Sequence, residues 1–336
     1  MYICGKMIVA MKKITLVTLL LLAFVAPLSA QMVECKTYTY AHRGDTELRL
    51  DIYKTSSEVQ PCLVYVFGGA FLVGSRDSMG LTEVFEHFAR RGWTVVSIDY
   101  RLGLKPLLEQ PEVKRSIFEF RSMLIDAVNV ATEDLIEATA YLVRNANELA
   151  ISPEQIVVMG SSAGAITVCQ AEWSICNGER VASVLPADFN YAGVVSMAGA
   201  ILGKGRNLRW ERTPCPMLLC HGNADKNVPY GRQSLLGVSL FGTESIVESL
   251  SDKGYPYWFY DVCRRGHSIS WRPMYEQRDL IESFLTRAAL NKENKQLHLR
   301  VEDPALPKVK TNFGMLTYIK SNFSKREGAE LEIIMD

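Results

Sequence analysis

The chain is 336 residues long, 48% hydrophobic and 22% charged, an ordinary globular composition with enough apolar material for one large core. Its 37 Lys and Arg balance 37 Asp and Glu, so net charge gives no reason to expect nucleic acid or an anionic membrane surface as a partner. No internal repeat or long run of one charge interrupts it.

Met11-Lys12-Lys13, the apolar run Ile14–Val25 and Pro27-Leu28-Ser29-Ala30 read as a secretory signal peptide, residues 1–30, with Met1 or Met11 as its start and cleavage after Ala30. The run is short for a bilayer span, and no cysteine follows the cleavage site. The expectation is an exported protein, periplasmic or secreted from a bacterium, with no stable membrane anchor. Thr37–Tyr40 and Glu47–Tyr53 then alternate as two antiparallel strands around His42-Arg43-Gly44-Asp45. Predicted strands at 63–67, 94–98, 155–159, 192–197, 217–220 and 257–262 follow. Predicted helices lie near 81–91, 125–147, from 163, near 233–250 and at 273–287. The alternation predicts an α/β protein: a mainly parallel central sheet with an N-terminal antiparallel hairpin and helices on both faces. Residues 31–290 would form this domain, and 291–336 an extension with a strand near 297–302, packed back on the domain or making a subunit contact. The interval 201–214 is too short for a lid domain, and 102–122 reads as irregular chain able to border a pocket.

Gly160-Ser161-Ser162-Ala163-Gly164 follows the apolar run Ile156–Met159. A Gly-x-Ser-x-Gly pentapeptide between a strand and a helix is a turn so tight that its outer residues must be small. It lifts the serine hydroxyl off the strand end. Such a serine needs a base, and a carboxylate to orient that base. Of the five histidines, His267 sits on a loop after the last predicted domain strand, where it can swing over the sheet's C-terminal edge. His42 (hairpin turn), His87 (amphipathic helix) and His298 (tail) have no competing context, and His221 at a strand end reads as support for the acid loop. That loop, His221-Gly222-Asn223-Ala224-Asp225-Lys226-Asn227-Val228-Pro229, places Asp225 before an expected helix and within reach of His267. Asp252 and Asp261 are rivals, one helical and exposed, the other inside a strand. Gly68-Gly69-Ala70-Phe71 ends the strand 63–67, and its small residues let backbone N–H groups approach a ligand. Gly69 and Ala70, with Ala163 after the serine, are the expected oxyanion donors.

Eight cysteines become seven without Cys4, an odd number. Cys62, Cys215, Cys220 and Cys263 lie in or beside apolar strands as buried thiols. Cys169 and Cys176 are two helical turns apart and cannot bridge, and Cys35 has no partner that sequence alone selects. No Cys/His spacing suits a metal, and the proposed chemistry calls for no cofactor.

Phe67-Gly68-Gly69-Ala70-Phe71, Asp99-Tyr100-Arg101-Leu102, the Ser162 pentapeptide and the Asp225 and His267 loops together resemble the α/β-hydrolase superfamily, in its esterase/lipase (carboxylesterase) branch. The resemblance runs from about Tyr38 to Ala288. Phe67 and Ala70 depart from the family's usual His-Gly-Gly-Gly. The His-Gly-x-x-Asp-x-x-Val-Pro loop is similar to that of small, feruloyl and acetylxylan esterases and of oligopeptidase-type hydrolases. The resemblance implies a serine hydrolase of carboxylic esters with Ser162, His267 and Asp225 as triad and no catalytic part for Asp99-Tyr100-Arg101. Its substrate would be a small or oligosaccharide ester, such as an acetylated or feruloylated plant polysaccharide fragment. Phe71, Trp173 and Trp271 are candidates for the pocket, the two tryptophans equally for the core. An exopeptidase or thioesterase on the same scaffold, or a binding protein that has left catalysis, are the alternatives. Oligomeric state is not fixed by the sequence.

Overall fold

Glycine at a left-handed turn makes the first element: Gly44, at φ 60°, closes a hairpin between β1 (Glu34–Arg43) and β2 (Thr46–Lys54). This computed structural model describes residues 32–336 except 79, 111, 310, 312, 327, 328, 331, 332, 335 and 336; the expected signal peptide, residues 1–30, lies outside the described residues. The further strands are β3 (Gln60–Val66), β4 (Thr94–Ile98), β5 (Ile151–Ser161), β6 (Gly193–Met197), β7 (Ala200–Gly203), β8 (Met217–Gly222), β9 (Arg232–Leu235), β10 (Val238–Gly242), β11 (Tyr257–Cys263) and β12 (Gln296–Glu302). The main helices are α1 (Thr82–Ala89), α2 (Ile117–Arg144), α3 (Ala163–Cys176), α4 (Thr243–Ser251), α5 (Arg278–Phe284) and α6 (Met315–Phe323).

Nine strands form one sheet in the order β1-β2-β4-β3-β5-β6-β8-β11-β12. The pairs β1–β2 and β2–β4 are antiparallel and all the others parallel. The inner strands are continuous apolar runs, with Val64, Val96, Val158, Val195 and Leu219 wholly buried, as a sheet covered on both faces requires. Chain direction across the sheet reverses at β3: the crossover through α1 runs to β4 on one side, the next through α2 to β5 on the other. Right-handed crossovers then put α1 and α2 on opposite faces. Helix α5 joins α1, where His87 Nε2 meets Glu282 Oε1 at 2.6 Å. The reversal opens a crevice outside the C-terminal ends of β3 and β5, the place where open α/β sheets bind ligands. Both the Gly68-Gly69 loop and Ser162 emerge there.

Three expected boundaries move. Helix α2 begins at Ile117 inside the stretch expected to be irregular, because Ser116 and Glu119 form a capping box. The expected helix over 233–250 is instead the hairpin β9–β10 followed by α4. Leu236 (φ 47°) and Gly237 (φ 84°) make a two-residue turn with both φ positive, the hairpin geometry that matches strand twist. Residues 226–231 are bend and irregular chain, not the expected helix after Asp225. The change of pattern at Asn291 does not end the sheet: β12 pairs in parallel with β11 from Tyr257↔Gln296 to Cys263↔Glu302. Cys35, Cys62, Cys169, Cys176, Cys215, Cys220 and Cys263 are all free thiols, only Cys35 exposed.

Candidate active site

Ser162 caps β5 and begins α3 with φ 52° and ψ −116°, a region that side chains other than glycine rarely enter. The neighbours impose this turn. A Cβ on Gly160 would lie 2.3 Å from Gly164 O, and one on Gly164 2.1 Å from Val66 O and 2.5 Å from Phe67 O. Both glycines are therefore required by the close packing of β5, α3 and the end of β3. The Ser162 amide donates to Met197 O at 2.9 Å, tying the elbow to the end of β6.

Ser162 Oγ lies 2.8 Å from His267 Nε2, and His267 Nδ1 lies 2.8 Å from Asp225 Oδ2. Three loops thus bring the predicted serine, histidine and aspartate into one hydrogen-bonded chain. Asp225 is buried, and its Oδ1 accepts from the backbone N–H of Asn227 (2.7 Å) and Val228 (3.1 Å). Burial pushes this carboxyl up, but hydrogen bonds from His221 and His267 outweigh it and hold Asp225 well below the usual carboxylate range. The acid and histidine loops are fastened directly to each other. A Cβ on Gly222 would fall 2.2 Å from Arg265 O, Ala224 N donates to Arg265 O (3.1 Å), and Arg264 N donates to Asn223 Oδ1 (2.7 Å).

Gly68 runs against the serine: a Cβ there would be 3.1 Å from Ser162 Cβ. Gly69 (φ 123°), Ala70 (φ 56°) and Phe71 (φ 59°) follow in the left-handed half of conformational space. Among the described residues no atom accepts from the N–H of Gly69, Ala70 or Ala163, and Ala163 is the first residue of α3, where an N–H has no partner in the helix. Phe67 stacks on Tyr100 with centroids 4.4 Å apart, and the Tyr100 hydroxyl donates to Phe67 O at 3.0 Å. Arg101 holds buried Asp134 through Nε (2.9 Å) and Nη2 (2.8 Å), so Asp99-Tyr100-Arg101 anchors the loop from behind.

The three aromatic candidates go to different places. Phe71 is buried, edge-on to Tyr100 at 6.3 Å. Trp271 is 47% exposed, beside Tyr275 and under the Arg272 guanidinium. Trp173 lines a cleft of about 1410 Å³ along α2 and α3, and neither Phe71, Trp271, Ser162 nor His267 is among that cleft's walls. Of the rival acids, Asp252 ends α4, and Asp261 is buried in β11 with its Oδ2 facing His298 (3.3 Å) and Arg300 (3.5 Å). Asn223 and Thr243 were not singled out from the sequence. Asn223 stands inside the His-Gly-Asn loop, and Thr243 meets His221 at 2.7 Å from a helix start 22 residues away, a contact with no local signal. No group of side chains among the described residues is arranged to hold a metal ion, and no described helix is long and apolar enough to cross a membrane.

Residues 28–178 match the carboxylesterase family, a segment that holds Gly69, Ala70, Ser162 and Ala163 but neither Asp225 nor His267. The chain is similar to lipase 2 of Moraxella sp. (strain TA144), 29% identical over 136 residues, covering 38% of this chain and 26% of the lipase. It is also similar to gut esterase 1 of Caenorhabditis briggsae, 28% identical over 137 residues, 40% of this chain and 22% of that esterase. The matches thus span about a quarter of the length of these relatives. In fold the chain is similar to esterase 2 of the planctomycete Thermogutta terrifontis, with TM-score 0.54 and 18% identity over 78% of this chain and 95% of that one. The same esterase with butyrate bound gives TM-score 0.53 and 19% identity over 75% and 94%. The chain has the α/β-hydrolase fold and is similar over residues 28–178 to the carboxylesterase family.

Proposed function

We propose that the chain hydrolyses carboxylic esters through an acyl-enzyme on Ser162. The observation that carries this reading is the continuous relay Ser162 Oγ–His267–Asp225, with 2.8 Å at both links. His267 takes the hydroxyl proton as Ser162 attacks the ester carbonyl. The ionised Asp225 holds the imidazole with Nδ1–H toward itself and Nε2 toward the serine, and stabilises the imidazolium. The N–H groups of Gly69, Ala70 and Ala163, free of internal acceptors, receive the developing oxyanion. His267 then protonates the leaving alcohol, and a water repeats the cycle on the acyl-enzyme.

Short acyl groups are the preferred substrates on this reading. The similar esterase from Thermogutta terrifontis has been observed with butyrate and with propionate bound, and phosphorylated by paraoxon. An acetylated or feruloylated polysaccharide fragment as natural substrate follows from the resemblance of the acid loop. Export follows from the Lys12-Lys13 and apolar run at the N-terminus. The test is hydrolysis of p-nitrophenyl acetate and butyrate by the wild type and Ser162→Ala, with paraoxon added to each. Turnover lost in the variant, and stoichiometric phosphorylation of wild type alone, are expected. A folded wild type inert to both reagents would remove the reading and leave peptide substrates or a binding role.

A further inference from the structure

The 1410 Å³ cleft beside Trp173 is larger than a pocket for one small ligand and is formed by α2, α3, residues 177–184 and the loop after β7. Five cations line it: Arg121, Arg180, Lys204, Arg206 and Arg209. No carboxylate among the described residues lies within 4.0 Å of any of the five, although the protein forms ion pairs freely elsewhere. Arg121 also has a buried Nε without a hydrogen-bond partner. Of the acids on the same walls, Glu133 is taken by Arg101 and Glu137 by Arg144, which leaves only Glu179 and Glu211 unpaired. A chain with no net charge therefore concentrates an excess of unpaired positive charge along this cleft.

Guanidinium forks match carboxylates bidentately, which suits repeated carboxylates along an extended ligand. Trp173, with its Nε1 donating to Arg209 O at 3.0 Å, fixes one indole on the wall, and Asn129 and Asn207 add amides suited to hydroxyl groups. A single-stranded nucleic acid would call for a succession of aromatic platforms, and among the described residues the walls carry two aromatic rings, Trp173 and the buried Phe241. We propose that the cleft binds the uronate-bearing stretch of an acidic polysaccharide, whose ester groups are the substrate of the Ser162 site. The link between cleft and ester rests on the esterase reading above; the binding itself does not.

The experiment is affinity electrophoresis of the full chain in gels carrying polygalacturonate, a neutral xylan, or polyphosphate. Wild type and Ser162→Ala should be retarded equally by polygalacturonate and not by the other two. The variant Arg180→Ala/Arg206→Ala/Arg209→Ala, three exposed charges outside the catalytic relay, should bind about tenfold more weakly while p-nitrophenyl acetate turnover stays unchanged. Absent retardation, equal retardation by xylan or polyphosphate, or a triple variant that binds as wild type with its turnover intact would each overturn the proposal. A protein that binds polygalacturonate yet hydrolyses no ester would keep the cleft and remove the esterase reading.

Discussion

His221 Nε2 stands 3.4 Å from the same Asp225 Oδ2 that His267 Nδ1 meets at 2.8 Å, so one buried carboxylate oxygen faces two imidazoles. Val228 O, also 3.4 Å from His221 Nε2, is a second acceptor on that side. The two acceptors facing Nε2 therefore assign a proton to it, while Nδ1 meets the Thr243 hydroxyl at 2.7 Å. His221 is a positioning residue for the acid. Its removal leaves Asp225 buried with one donor fewer, so the carboxylate holds protonated His267 more tightly. The acid limb of the kcat/KM profile of His221→Ala should move to higher pH, and His221→Gln, which restores an N–H toward the acid, should bring it back. A loss of rate uniform across pH would assign His221 to packing alone.

Asp225 also makes stability depend on pH. Its carboxyl is held below its unfolded value, so the ionised form contributes stability fully above the unfolded aspartate pKa of about 3.9 and loses it as pH falls below that value. In urea melts, the advantage of wild type over Asp225→Asn should be largest near neutrality and shrink toward pH 3. An equal gap at both pH values would contradict the assignment.

The elbow separates function from stability at one position. Ser162→Ala keeps a Cβ in the strained conformation at φ 52°, and Ser162→Gly removes it. Both variants should be inactive, with the glycine variant more stable by about 1 kcal/mol in chemical denaturation. Gly164→Ala is the converse: a methyl 2.1 Å from Val66 O should cost about 3 kcal/mol or more and lower the soluble yield.

Thiol reactivity should follow burial. Six of the seven described cysteines are buried and Cys35 is exposed, so among these seven Cys35 alone should label quickly, and Cys35→Ser should abolish its fast phase. Several fast-reacting thiols would mean that β3, α3 or β8 opens readily.

The sheet and the relay were legible because their signals are local: apolar runs of strand length, a pentapeptide whose glycines leave no alternative, and a histidine and an aspartate on loops after successive strands. What escaped was either turn chemistry or contact at long range. Leu236-Gly237 reads as part of a helix unless the two-residue turn is recognised, and Ser116-x-x-Glu119 is a helix start inside chain that otherwise reads as irregular. Phe71, Trp173 and Trp271 share a residue type rather than a location; nothing in their spacing says that one is core, one lines a remote cleft and one faces solvent. The cationic cleft was hidden by the balanced total charge, since composition averages over a surface that the fold sorts.

The strand β12 gives the C-terminal segment a task that a domain boundary near residue 290 would erase. Asp261, wholly enclosed and in register with His221 on one side and Arg300 on the other, finds its counter-charge in Arg300 and a second polar neighbour in His298, both carried by β12. A protein trimmed near residue 290 would keep every member of the relay and leave a buried carboxyl without its partners one strand away from the acid loop. Libraries or expression plasmids built on that trimmed boundary would report an inactive protein, and the fault would lie in the cut.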